Sequence, residues 1–142
     1  MSAGEPAGLI QWREALRWLA FAAEDLRVAK KLTTGDESVL GGTAFHLQQA
    51  TEKILKALLV AAAENFRRTH DIDELASLAH RHWPDLRSHA RRLGMLPPAI
   101  QVWTTFHRMP MRVATALNDV EALLTAVMRI VPAALRNQTD RR

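Results

Sequence analysis

Phe45 to Phe66 reads FHLQQATEKILKALLVAAAENF, and the spacing of its apolar residues decides the fold. On a 3.6-residue period Leu47, Ala50, Ile54, Leu58, Ala61 and Ala62 share one side, with Thr51 and Leu55 widening it. A helix that is apolar over so much of its girth has to be buried among other helices. The opposite side carries His46, Gln49, Lys53 and Lys56 at i, i+3, i+7 and i+10, a single polar stripe. The stretch therefore predicts a central, two-faced helix, and the stripe is the first candidate surface.

Working outward, the helix on its N-terminal side is expected over Leu9 to Leu32. Trp12, Leu16, Leu19, Ala23 and Leu26 form its main stripe, and Trp18, Phe21, Val28 and Leu32 form a second row on another face. That surplus of apolar surface calls for burial on two sides or for a subunit interface. Gly35 suits a helix C-cap. Gly41-Gly42 leaves the start of the central helix open, between a cap at Thr43 and a turn beginning at Glu37 that runs through both glycines.

On the C-terminal side, Asp71 followed by Glu74 has capping-box spacing and opens a helix expected over Ile72 to His82, with Ile72, Leu75, Leu78 and Ala79 inward. Trp83-Pro84 ends it, a short turn is expected over Asp85 to Arg92, and a short helix over Pro98 to Phe106. The last long helix is expected from Val113 to about Val131, where apolar residues recur at i, i+3, i+4 and i+7 after the break at Pro110. No strand or hairpin pattern interrupts this order. The reading is an all-α, up-and-down bundle of four to five helices, with residues 1–8 a loose lead-in, 9–131 one domain and 132–142 a basic tail.

The totals narrow the function classes. A chain of 142 residues suits one domain. It has no cysteine, which removes disulfides, thiolate catalysis and cysteine zinc sites. No basic-then-apolar leader and no apolar run of about 20 residues is present, so neither secretion nor membrane insertion is expected and the cytoplasm is the expected location. The formal charge of +4 is uneven: residues 1–66 hold 7 Lys or Arg against 8 Asp or Glu, and residues 67–142 hold 12 arginines against 7 acids. Arginine suits phosphate, though such an excess is also ordinary on surfaces that bind nothing.

Phe45-His46-Leu47-Gln48-Gln49-Ala50-Thr51-Glu52-Lys53-Ile54-Leu55-Lys56-Ala57-Leu58, followed by Thr69-His70-Asp71-Ile72-Asp73-Glu74-Leu75, resembles the HEPN domain (higher eukaryotes and prokaryotes nucleotide-binding). The resemblance spans about residues 12 to 131. It implies an all-α bundle, frequent dimers, and nucleotide or RNA chemistry in many relatives. Many relatives are metal-independent ribonucleases with an Arg, four to six residues and then a His, paired across a dimer. None of His46, His70, His80, His82, His89 and His107 has an Arg five to seven positions before it, and Arg108-Met109-Pro110 stands where the family often has Arg-Tyr-Pro. The chain has no tyrosine, so tyrosine adenylylation, which the resemblance would allow as a control, has no acceptor here.

The best functional constellation is His46, Gln49, Lys53 and Lys56 with Arg67, Arg68 and His70, and with Arg108 and Arg112 at the later corner. It offers donors and positive charge without a nucleophile or a carboxylate pair, which points to anion binding rather than bond cleavage. The plain structural alternative pairs Glu52 with Lys56, leaves Gln49 and Lys53 in solvent, and uses His46 to bond between helices. No metal site is expected, because His80 and His82 diverge by about 200° on a helix. No cofactor is expected either, since Gly41-Gly42 lacks the context of a phosphate loop. The expected function is a non-catalytic HEPN subunit that pairs with a minimal nucleotidyltransferase, the arrangement that short members of the family resemble, in a toxin–antitoxin or stress-response system. It would bind nucleotide, RNA or the partner protein, and form a homodimer. The alternatives are a divergent ribonuclease toxin using His107, Arg108 and Arg112 across a dimer, and a helical interaction module with no small ligand.

Overall fold

A computed structural model describes residues 7–34, 39–89 and 109–139 of the chain, with the side chains of Ala7, 109–112 and 138–139 left aside. The expected helix over 98–106 and the residues His107 and Arg108 lie outside the described residues. The elements in order are α1 (Ala7–Thr33), α2 (Leu40–Ala61), α3 (Ile72–His82), a 3-10 turn (Pro84–Leu86), α4 (Met109–Ile130) and α5 (Ala133–Thr139). The fold is an all-α bundle, as the periodicity requires.

The central position falls to α2, which packs against α1, α3 and α4. Leu47, Ala50, Ile54, Leu55, Ala57, Leu58 and Leu59 are all buried. Its start runs through both glycines, with Val39 as a cap that uses no side chain. Gly42 lies at the crossing with α1, where an added Cβ would stand 3.2 Å from Leu32 Cδ1. The helix stops at Ala61, short of Phe66. Ala63 adopts a left-handed φ of 53°, and Glu64 N donates to Leu59 O (2.9 Å) while Ala63 N donates to Val60 O (3.0 Å). That is the 6→1 and 5→2 pairing of a Schellman close, made here without the usual glycine.

The buried line of α1 is Ala15, Leu19, Ala22, Leu26 and Ala29, shifted from the expected Trp12, Leu16, Leu19, Ala23 and Leu26. Ala15, Ala22 and Ala29 recur every seven residues on this line with no exposed surface, and Trp12, Leu16 and Trp18 pack at the margins. Trp12 meets Trp83 edge-on with ring centroids 6.1 Å apart, closing α1 onto the end of α3.

Asp71 caps α3 as expected, accepting from Asp73 N (3.0 Å) and Glu74 N (3.2 Å). Glu74 does not complete the box. It turns to Arg67 in a two-bonded pair, both bonds 2.7 Å, and Thr69 Oγ1 takes the Asp71 N–H instead at 3.0 Å. Carboxylate and guanidinium match bidentately, so the ionic partner outcompetes the backbone amide.

Helix α4 begins at Met109, four residues before the expected start, with Pro110 in its first turn, where a missing N–H costs nothing. Val113, Ala116, Val120, Leu123 and Val127 are buried along it. Beyond Pro132, residues read as a basic tail form α5, and Val131 and Leu135 are both buried in the core.

Candidate functional site

The polar stripe of α2 does not stand free. Asp25, a residue of α1 that sequence reading passed over, accepts from His46 Nδ1 at 2.9 Å and also binds Lys53 Nζ. Asp25 is 12 % exposed at its side chain, and His46 and Lys53 are 28 % and 27 % exposed. One carboxylate thus holds two candidate residues half-buried in the α1–α2 seam.

A second carboxylate works one turn further on. Lys56 Nζ donates to Glu52 Oε1 at 2.5 Å, and His70 Nδ1 lies 3.1 Å and 3.0 Å from the two Glu52 oxygens. The expected Glu52 and Lys56 pair is therefore present, but it is buried rather than solvated. Lys56 also lies over the Trp18 ring, 5.9 Å from its centroid. Burial pushes the Glu52 carboxyl up, and the hydrogen bonds and charges of Lys56 and His70 together outweigh that, leaving it below the usual glutamate range.

The remaining candidates spread over the loop beyond α2. His70 stays largely exposed at its ring. The bond to Glu74 raises the Arg67 pKa further and lowers that of Glu74. Arg68 is exposed, and no bond from it to another described residue is found. Gln49 sits partly exposed between His46 and Lys53 on α2. The structure thus brings His46 and Lys53 together through Asp25, brings Lys56 and His70 together through Glu52, and sends Arg67 to Glu74. The side chain of Arg112 belongs to the residues left aside.

Asp25 had a signal in the sequence. It falls at i+7 from Trp18 and i+4 from Phe21, an acid on the flank of an apolar row facing a helix with His and Lys seven apart.

Two concavities lie elsewhere. A pocket of about 10 Å³, room for at most one water, is lined by Leu55, Leu58, Trp83, Leu86, Leu123 and His80. The His80 Nε2 is buried there with no hydrogen-bond partner among the described residues; burial, then the nearby Arg87, pushes its pKa down. A shallow groove of about 380 Å³ runs between α1 and α4, crossed by the Lys30 and Glu121 ion pair. Among the described residues no group of three or more His, Asp or Glu is placed to hold a metal ion, and no helix is long and apolar enough to cross a membrane.

A bundle built round a two-faced central helix, with its polar face tied down by an acid of α1 and an acid of α2 itself, is the class that fold and site define. Within that class the chain belongs to the HEPN domain family, whose family model matches residues 15–131. No curated protein and no solved structure gives a significant match. Membership supports a nucleotide- or RNA-related function in general terms.

Proposed function

We propose that this protein is a non-catalytic HEPN subunit that works by binding a protein partner, and that the partner is a minimal nucleotidyltransferase, in a toxin–antitoxin or stress-response pair. One observation carries the reading: the donors of the α2 stripe, and His70 beside it, are already engaged by the chain's own carboxylates, His46 and Lys53 by Asp25, Lys56 and His70 by Glu52. A polyanion would have to displace those acids before gaining a contact, whereas a protein surface needs no net charge to dock. The absence from the sequence of an Arg with a His five to seven positions later supports the same side. Co-expression with a small nucleotidyltransferase encoded beside this chain tests it. A complex that survives gel filtration is expected; two proteins that elute separately, at concentrations of tens of micromolar, overturn the pairing.

The nucleotide- or RNA-binding reading has its own observation, the exposed Arg68 beside the exposed His70 ring. On that reading ATP or a short RNA raises the melting temperature, and Lys53→Ala with Arg68→Ala removes the shift. The ribonuclease reading requires metal-free RNA cleavage that disappears in His107→Ala.

A further inference from the structure

Among the described residues, His70 is the one histidine whose ring is fastened by a carboxylate through Nδ1 and also stands largely in solvent. Its Nδ1 lies 3.1 Å and 3.0 Å from the two oxygens of Glu52, and its side chain is 83 % exposed. His46 is fastened in the same way but is mostly covered. His82 spends Nε2 on Glu64, and the Nε2 of His80 is buried.

Glu52 is itself held in place. Its side chain is 6 % exposed, it receives Lys56 Nζ, and Lys56 lies over the Trp18 ring. Burial opposes its charge, but the bonds and charges of Lys56 and His70 outweigh burial, so the group is a carboxylate. A carboxylate has no proton to give, so the bond runs from Nδ1–H to Glu52. In the neutral ring the electron pair is then on Nε2, which no described residue engages. In the sequence His70 counts only as a donor; the bond to Glu52 makes its outer nitrogen a nucleophile.

The neighbouring charges indicate what that nitrogen would attack. Arg68, two residues before His70, is exposed and makes no bond to another described residue, whereas Arg67 is taken by Glu74. Asp71, next in the chain, gives Oδ1 to the amides of Asp73 and Glu74. A free guanidinium two residues from a nucleophilic nitrogen suits the oxygens of a phosphoryl group.

We propose that His70 is a phosphoryl-acceptor site, modified on Nε2, with Glu52 as its positioning residue. The Nε2 electron pair attacks phosphorus and an N–P bond forms. The bond from phosphorus to the donor's leaving group breaks, and its electron pair departs with that group. The positive charge gained by the ring rests on the Nδ1–H that faces Glu52, and water then takes that proton. An N–P bond is energy-rich, so the donor is of the same class: a phosphoramidate or, in a protein, another phosphohistidine. The modification adds about two negative charges to the loop between α2 and α3, where Arg68 is free to meet them. None of this rests on the nucleotidyltransferase pairing.

Phosphoramidate at about pH 8, above the ordinary histidine value, supplies the group without an enzyme. The full chain is expected to gain one phosphoryl group, placed at His70 by fragment masses and at Nε2 by phosphorus-31 resonance. The reaction should run about tenfold faster than at His70 of the chain unfolded in urea, since a hydrogen bond to a charged group is worth at least that factor. Glu52→Gln should remove the advantage, Arg68→Ala should reduce it, and His70→Gln should abolish labelling at this rate. Nitrogen-15 shifts of the wild-type ring give a readout that needs no variant. His70 is expected as the Nδ1–H tautomer, and Glu52→Gln should restore the Nε2–H form that free histidine favours. Labelling no faster than in the unfolded chain overturns the proposal, as does earlier labelling of another histidine or an Nε2–H ring in the wild-type protein. An advantage that survives Glu52→Gln in a folded chain overturns the role of Glu52.

Discussion

Asp25 and His46 are 21 positions apart in the chain and 2.9 Å apart in space. With a carboxylate as acceptor, the imidazole must carry its proton on Nδ1, so Asp25 fixes both the tautomer and the angle of the ring. The same carboxylate takes Lys53, making this acid the fastening of the α1–α2 seam. Asp25→Ala leaves a half-buried lysine and histidine with no acid between them. The expected loss is about 1–3 kcal/mol, above a surface pair and below a fully buried one. Urea unfolding measures it, and a double-mutant cycle with Lys53→Met should show coupling; additive losses would remove Asp25 from this role.

Glu52 makes a prediction in acid. Its folded pKa lies below the value in the unfolded chain, so the stability it contributes is complete above the ordinary glutamate range. That contribution is lost as pH falls through the folded value. Midpoints of urea unfolding between pH 7 and pH 3 should fall less steeply in Glu52→Gln than in the wild type.

His80 predicts a loss at milder pH. Its folded pKa is lowered by burial first and by Arg87 second. The neutral ring is thus favoured in the fold, and the contribution is complete above about 6.5 and is lost as pH falls from there through the folded value. His80→Phe should flatten the stability profile between pH 7 and pH 5; an unchanged slope would rule out His80 as its source.

At Ala63 the prediction is a gain. A non-glycine residue at φ 53° carries a steric cost that glycine lacks. Ala63→Gly should raise stability by roughly 0.5–1 kcal/mol after the added freedom of the unfolded chain is subtracted. A lower melting temperature would show that the Schellman close is not the limiting feature at this corner.

These residues also show what the sequence discloses. The α3 boundaries and the Asp71 cap were legible because capping chemistry is local, and α2 because its apolar period is long. The end of α2 was not, since Ala62 and Ala63 have no glycine or proline signature and their geometry is set by the chain that follows. Glu74 obeyed capping-box spacing yet was claimed by Arg67, which returns to it only once the loop has folded. The polar stripe was legible as a stripe and its Glu52–Lys56 pair as an i, i+4 spacing, but the engagement of His46 and Lys53 depended on Asp25 of another helix, a relation that no pattern within α2 contains.

The two longest partners of the seam, α1 and α2, are joined by only the short stretch 34–39. Contacts between segments so near in the chain close with little entropic penalty and form early. During synthesis the first 61 residues can pair off as a hairpin while the partners that cover the rest of α2 are still being made. Until α3 and α4 arrive, the greasy flank around Ile54 and Leu58 is bare, so the newborn chain is most vulnerable to aggregation in that interval.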